Sequence, residues 1–156
     1  MNSPVSGSSS DFFDSAYCQM PPWDIGKPQP DLIALLDEFP PTGPVLDVGC
    51  GTGALTFALA ERGCAVLGVD LTEAAIAQAR AKAVAAAPAV RQLVDFRVGD
   101  ALYPAQFPGP FGAVVDNTYW AGSGPDTGGA YYPVVEFKAQ GRKARALHGR
   151  HRQSAA

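Results

Sequence analysis

The most constraining feature of the chain is a turn. Gly49-Cys50-Gly51-Thr52-Gly53 directly follows the apolar run Val45-Leu46-Asp47-Val48. Glycines at this density serve a backbone that turns sharply and lets another molecule approach it closely. The short apolar run, flanked by glycines, reads as a buried strand. Beyond the turn, Leu55 and Leu59 share one face of a helix expected over about 54–62, with Gly63 as its stop. A ligand bearing negative charge or many acceptors is favoured where such a helix N-terminus faces a glycine turn.

The same unit repeats downstream. Ala65–Val69 reads as a second strand, ending at Asp70, and Thr72 as the cap of a helix over about 73–87. That helix carries Ile76, Ala79 and Ala83 on one face, and Pro88 closes it. Third and fourth strands fit Asp95–Val98 and Ala113–Asp116. Alternating strands and helices imply a parallel sheet with right-handed crossovers, the doubly wound α/β class. Upstream, residues 1–10 read as a flexible polar leader with neither the basic start nor the apolar core of a secretory signal. One or two helical turns fit residues 11–19. The stretch from Pro21 to Pro30 holds too many prolines for a helix or central strand. Asp31 is the expected cap of a short helix bearing Leu32, Leu35 and Leu36, which Pro40 and Pro41 end.

The loop admits two ligand classes. Gly49 to Ala54 satisfies the dinucleotide pattern G-x-G-x-x-G/A, and the same residues satisfy the tighter G-x-G-x-G. Asp47 decides between them. A carboxylate at the strand's end repels a pyrophosphate but attracts the ammonium and sulfonium of S-adenosyl-L-methionine (SAM). A nicotinamide-dependent oxidoreductase is therefore disfavoured. Cys50 is small enough for the loop and lacks an activating histidine, since His148 and His151 both lie in the C-terminal tail.

At this point the chain resembles the class I SAM-dependent methyltransferases. Val45 to Gly53 resembles the family's motif I. Asp70, in Gly68-Val69-Asp70-Leu71, matches the acidic residue that ends strand 2 and binds the ribose hydroxyls. Gly99-Asp100-Ala101 matches the carboxylate and backbone amide at the adenine, and Phe111 to Asp116 resembles motif IV. The resemblance implies a Rossmann-like fold with SAM as cofactor. It places Asp47, Gly49, Cys50, Gly51, Thr52, Gly53, Asp70, Leu71, Asp100, Ala101 and Asp116 in the cofactor site. The Pro21–Pro30 segment, with Trp23 over the cofactor, resembles the thiopurine, thiol and halide methyltransferase branch. So does Asp116-Asn117-Thr118-Tyr119-Trp120. Tyr119 and Trp120 are the pocket-wall candidates, with Tyr17 a more remote one. No residue stands out as a general base, which suits acceptors that need little base catalysis.

The C-terminal third departs from that pattern. Residues 1–120 carry 6 Lys/Arg against 13 Asp/Glu, whereas residues 121–156 carry 6 against 2. Residues 121–130 have a linker's composition, 131–137 fit one short strand, and 138–156 read as a poorly ordered basic tail. The expectation is a cofactor domain over 11–120 whose later strands are missing, with strand 4 left as an exposed edge. Truncation and a basic tail that recruits a partner, nucleic acid included, compete to explain the charge reversal. Cys18, Cys50 and Cys64 have no metal-ligand spacing, so no metal is expected, and a reducing cytoplasm fits them. No apolar run approaches a membrane span. The function expected is methyl transfer to a small-molecule thiol, halide-like or heterocyclic nucleophile. The competing expectation is a SAM-binding remnant without turnover.

Overall fold

All four residues of the apolar run are buried, because they form the middle strand of the sheet. The structure, a computed structural model, describes residues 14–19, 21, 24–100, 103–107, 109–116, 119–120, 130–131 and 134–137. Its strands are β1 (Val45–Val48), β2 (Val66–Asp70), β3 (Val94–Val98), β4 (Ala113–Asp116), β5 (Tyr119–Trp120), β6 (Ala130–Tyr131) and β7 (Val134–Phe137). Its helices are α1 (Pro30–Glu38), α2 (Ala54–Glu61), α3 (Glu73–Ala85) and the single turn α4 (Pro88–Arg91). A further helical turn covers residues 14–17.

Among the described residues the main sheet runs β3-β2-β1-β4-β7. β1 pairs in parallel with β2 on one side and β4 on the other, and β3 pairs in parallel with β2. Strand order thus changes direction at β1, the place where open α/β sheets form a crevice at the carboxyl ends of their strands. Register sets Asp47 opposite Gly68 and Val115, and Val48 opposite Val69 and Asp116. Asp47, Asp70 and Asp116 are therefore gathered at three neighbouring strand ends.

Leu32 and Leu36 of α1 and Leu55 and Leu59 of α2 pack on Val45, Val66, Ala113 and Val115. Each such leucine contributes about 1.5–3 kcal/mol by leaving water. Ile76 and Ala79 of α3 pack with Cys50 and Phe96 in an adjoining cluster. Leu46, Val48 and Val69 form a separate cluster with Phe107. β3 alternates less strictly and is mostly exposed, and it carries the Arg97–Asp95 ion pair on the sheet's edge.

Four expectations are corrected. Helix α1 starts at Pro30 with Gln29 as its cap, not at Asp31, because proline's fixed φ and missing N–H suit the first helical position. Thr72 occupies the cap position of α3, yet its side chain makes no capping bond. The doubly wound α/β class holds, with β1 to β4 parallel as expected, and β7 joins antiparallel to β4. Consequently β4 is not an edge. The single strand expected over 131–137 is two strands, β6 pairing with β5 and β7 joining the main sheet. The leader 1–10 and the tail 138–156 lie outside the described residues.

Candidate binding site at the glycine loop

The chain leaves β1 through three glycines in the left-handed region, with φ of +68° at Gly49, +54° at Gly51 and +90° at Gly53. Two of them are also sterically required. A Cβ on Gly51 would stand 2.7 Å from the Tyr17 hydroxyl, and one on Gly53 2.8 Å from the Phe96 ring and 3.0 Å from Phe57. Gly53 is the cap of α2, with no side-chain capping bond and no acidic residue in the first turn. The Thr56 amide of that turn is engaged by Asp47, and the helix end still favours negative charge or acceptors.

Several bonds hold the loop in place. The Cys50 amide donates to the Val69 carbonyl at 3.0 Å, and the Gly53 amide to the Cys50 carbonyl at 2.9 Å. The Gly51 amide donates to Asp70 Oδ2 at 2.9 Å, and the Thr72 amide to Asp70 Oδ1 at 2.9 Å. Thr52 joins three elements. Its hydroxyl donates to Asp24 Oδ2 at 2.7 Å and accepts from Lys82 Nζ of α3 at 2.8 Å.

The neighbouring carboxylates differ in their surroundings. Asp47 is 0% exposed; Oδ2 accepts from the Thr56 hydroxyl at 2.6 Å, and Oδ1 has no hydrogen-bond partner among the described residues. Burial pushes its carboxyl up to about 7, opposed by the Thr56 bond and reinforced by the charges of Asp70 and Asp116. Burial also raises Asp70, and the two backbone amides on it pull the other way. The Cys50 thiol is driven well above its ordinary value by burial, then by Asp47 and Asp70. It is a neutral packing group.

A cavity opens between the loop and the segment 17–29, which contributes Tyr17, Asp24, Lys27 and Gln29 to its wall. Gly49, Cys50, Gly51 and Thr52 line it from the loop side, as expected. Asp47 and Gly53 are not among its lining residues, and Asp47 is fully buried. Tyr17, the most remote candidate, is 8% exposed and packs on Gly51, so the structure brings it into the site. Leu71 follows β2 with 43% of its surface exposed. Asp100 is half-buried, with its carbonyl accepting from the Tyr103 amide at 3.0 Å, and Asp116 is half-buried at the end of β4. Trp23 and Ala101 lie outside the described residues, and so do the side chains of Tyr119 and Trp120.

Asp24, Thr56 and Lys82 were not legible as site residues. Asp24 sits 28 positions from Thr52 and Lys82 sits 30, and both contacts arise only when the proline-rich segment and α3 fold over the loop. Thr56 had a faint signal, a hydroxyl one residue after Leu55 on a helix whose neighbouring face is core.

A family model described as a methyltransferase domain matches residues 45–127. The chain is 37% identical over 118 residues to a 2-heptyl-1-hydroxyquinolin-4(1H)-one methyltransferase of Mycobacteroides abscessus, covering 69% of this chain and 50% of that protein. It is 43% identical over 65 residues to a ubiquinone biosynthesis O-methyltransferase of Pseudomonas paraeruginosa, covering 40% of this chain and 28% of that one. Among solved structures, one described as "Conversion of a Disulfide Bond into a Thioacetal Group during Echinomycin Biosynthesis" is similar, with a TM-score of 0.62 and 41% identity. That match covers 70% of this chain and 46% of the other. The chain spans half or less of the length of these relatives.

Proposed function

The chain belongs to the SAM-dependent methyltransferases, and from that premise we propose that it transfers a methyl group from SAM to a small-molecule nucleophile, a thiol, a halide-like ion or a heteroaromatic compound. The observation that carries this reading is the glycine loop itself. It has three left-handed glycines, a helix end behind it whose cap residue makes no side-chain bond, and a buried carboxylate beneath it with one oxygen unpartnered among the described residues. The residues present fit SAM. Negative charge from Asp47 at the end of β1 favours a cationic group above the loop and disfavours a pyrophosphate.

SAM when bound supplies a methyl group already activated on a sulfonium. The protein's task is therefore to bind, orient and exclude water. Gly49, Gly51 and the first turn of α2 would hold the amino-acid end. Asp70, fixed by the Gly51 and Thr72 amides, keeps further lone pairs for ribose hydroxyls. Leu71 offers exposed apolar surface, and Asp100 with Ala101 would meet the adenine edge. Tyr17 and Asp24 close the segment 17–29 over the loop.

For the acceptor, support comes from relatives whose names specify a hydroxyquinolinone and a disulfide-derived thioacetal, and from the Trp23 and Asp116–Trp120 stretches. The names fit a heteroaromatic or sulfur acceptor, and the two sequence stretches carry the resemblance to the thiopurine, thiol and halide branch. Transfer of a labelled methyl group from SAM to 2-heptyl-1-hydroxyquinolin-4(1H)-one and a panel of small thiols tests the reading. Labelled product from at least one acceptor is expected. Binding of SAM with no transfer to any of them would favour a cofactor-binding module instead.

A further inference from the structure

Thr56 lies in the first turn of α2, fully buried, and belongs to no part of the loop motif. A buried helical threonine commonly bonds back to the carbonyl four residues earlier. This one donates instead to Asp47 Oδ2 across the loop, at 2.6 Å. A hydroxyl that donates to a carboxylate favours its ionised form and fixes its rotamer.

The groups around Asp47 make that bond consequential. Asp70 at the end of β2 and Asp116 at the end of β4 both oppose its charge, as does its own burial. The Cys50 thiol of the loop is neutral. Among the described residues acting on Asp47, Thr56 alone favours ionisation, through its hydroxyl and its backbone amide. We propose that Thr56 is a positioning residue that keeps Asp47 charged beneath the glycine loop, so that the site discriminates for a ligand with a cationic amino-acid end. This rests on the reading that the loop binds SAM.

The test compares two ligands on the full chain. S-Adenosylhomocysteine carries the amino-acid end; 5′-methylthioadenosine has the same adenosine and thioether without it. Affinities are measured by calorimetry between pH 5.5 and 8.5 for the wild type, Thr56→Val and Thr56→Ser. In the wild type, affinity for S-adenosylhomocysteine should fall as pH drops below about 7, while affinity for methylthioadenosine stays flat. Thr56→Val should weaken S-adenosylhomocysteine about three- to tenfold at pH 7.5 and move the pH midpoint upward by about one unit. It should leave methylthioadenosine unchanged, and Thr56→Ser should restore both ligands to wild-type behaviour. Should Thr56→Val fail to fold, Thr56→Ala, the better helix former, carries the same expectations. Equal weakening of both ligands, or an unchanged pH profile in a folded variant, would overturn the proposal and leave the cofactor reading standing. A folded wild type that binds neither ligand would overturn both.

Discussion

Asp47 and Asp70 are the same residue at the carboxyl ends of adjacent strands, and the fold treats them oppositely. Asp70 has a backbone amide on each oxygen, one from the glycine loop and one from the start of α3. Asp47 is buried completely, with Thr56 as its side-chain donor and one oxygen without a partner among the described residues. Asp70 stitches β2 to the loop and so contributes to the fold. Asp47 costs the fold something, because a buried carboxylate without full partners destabilises the native state when ionised. A group that weakens the fold yet sits beneath a glycine loop marks a candidate binding site.

The largest effect should come from breaking the member held by two amides. Asp70→Ala leaves the Gly51 and Thr72 amides without acceptors, so it should lower stability by about 2–4 kcal/mol in urea unfolding, with binding of S-adenosylhomocysteine lost. Next is the loop that Asp70 holds. Gly53→Ala forces a side chain into φ +90° and against the Phe96 ring, so a loss of about 2–3 kcal/mol is expected by the same measurement.

Asp47→Asn should act with the opposite sign. The folded-state value of Asp47 is raised to about 7 from 3.8, so the native state holds its proton more tightly than the unfolded chain does. Asp47's contribution to native stability is then greatest below about pH 4 and falls as pH rises towards 7. Asp47→Asn should therefore unfold at higher urea concentration than the wild type at pH 8, by about 1–2 kcal/mol, with little difference at pH 5. Its affinity for S-adenosylhomocysteine should drop. A destabilised variant at pH 8 would mean that Asp47 is held by more than Thr56, and the contrast between the two carboxylates would fail. The smallest effect belongs to an exposed pair remote from both. Asp37→Ala removes the 2.6 Å contact with Arg62 and should change stability by less than about 1 kcal/mol.

The same contrast explains how much was legible in the sequence. The elements that carry Asp47 and Asp70 follow local rules: β1 and β4 fall on the expected residues, and β2 and β3 each start within one residue of expectation. The glycine loop was visible because its demand on backbone conformation is local. What escaped is long-range. Nothing within Val134–Phe137 announces that it pairs with β4, since a short β-rich run is compatible with many partners. The bond from Thr56 to Asp47 and the pinning of Thr52 by Asp24 and Lys82 depend on which faces the tertiary fold brings together. The misplaced start of α1 was a local error, in which Pro30 at the first helical position outranked Asp31 as a cap.

The central claim is that the strand ends at Asp47 and Asp70, with the loop between them, form a SAM site. Calorimetric titration of the full chain with S-adenosylhomocysteine, paired with the Asp70→Ala variant, tests it most directly. The account predicts saturable one-site binding by the wild type and none by the variant. A folded wild type that takes up no ligand, or a variant that binds as well as the wild type, would contradict it.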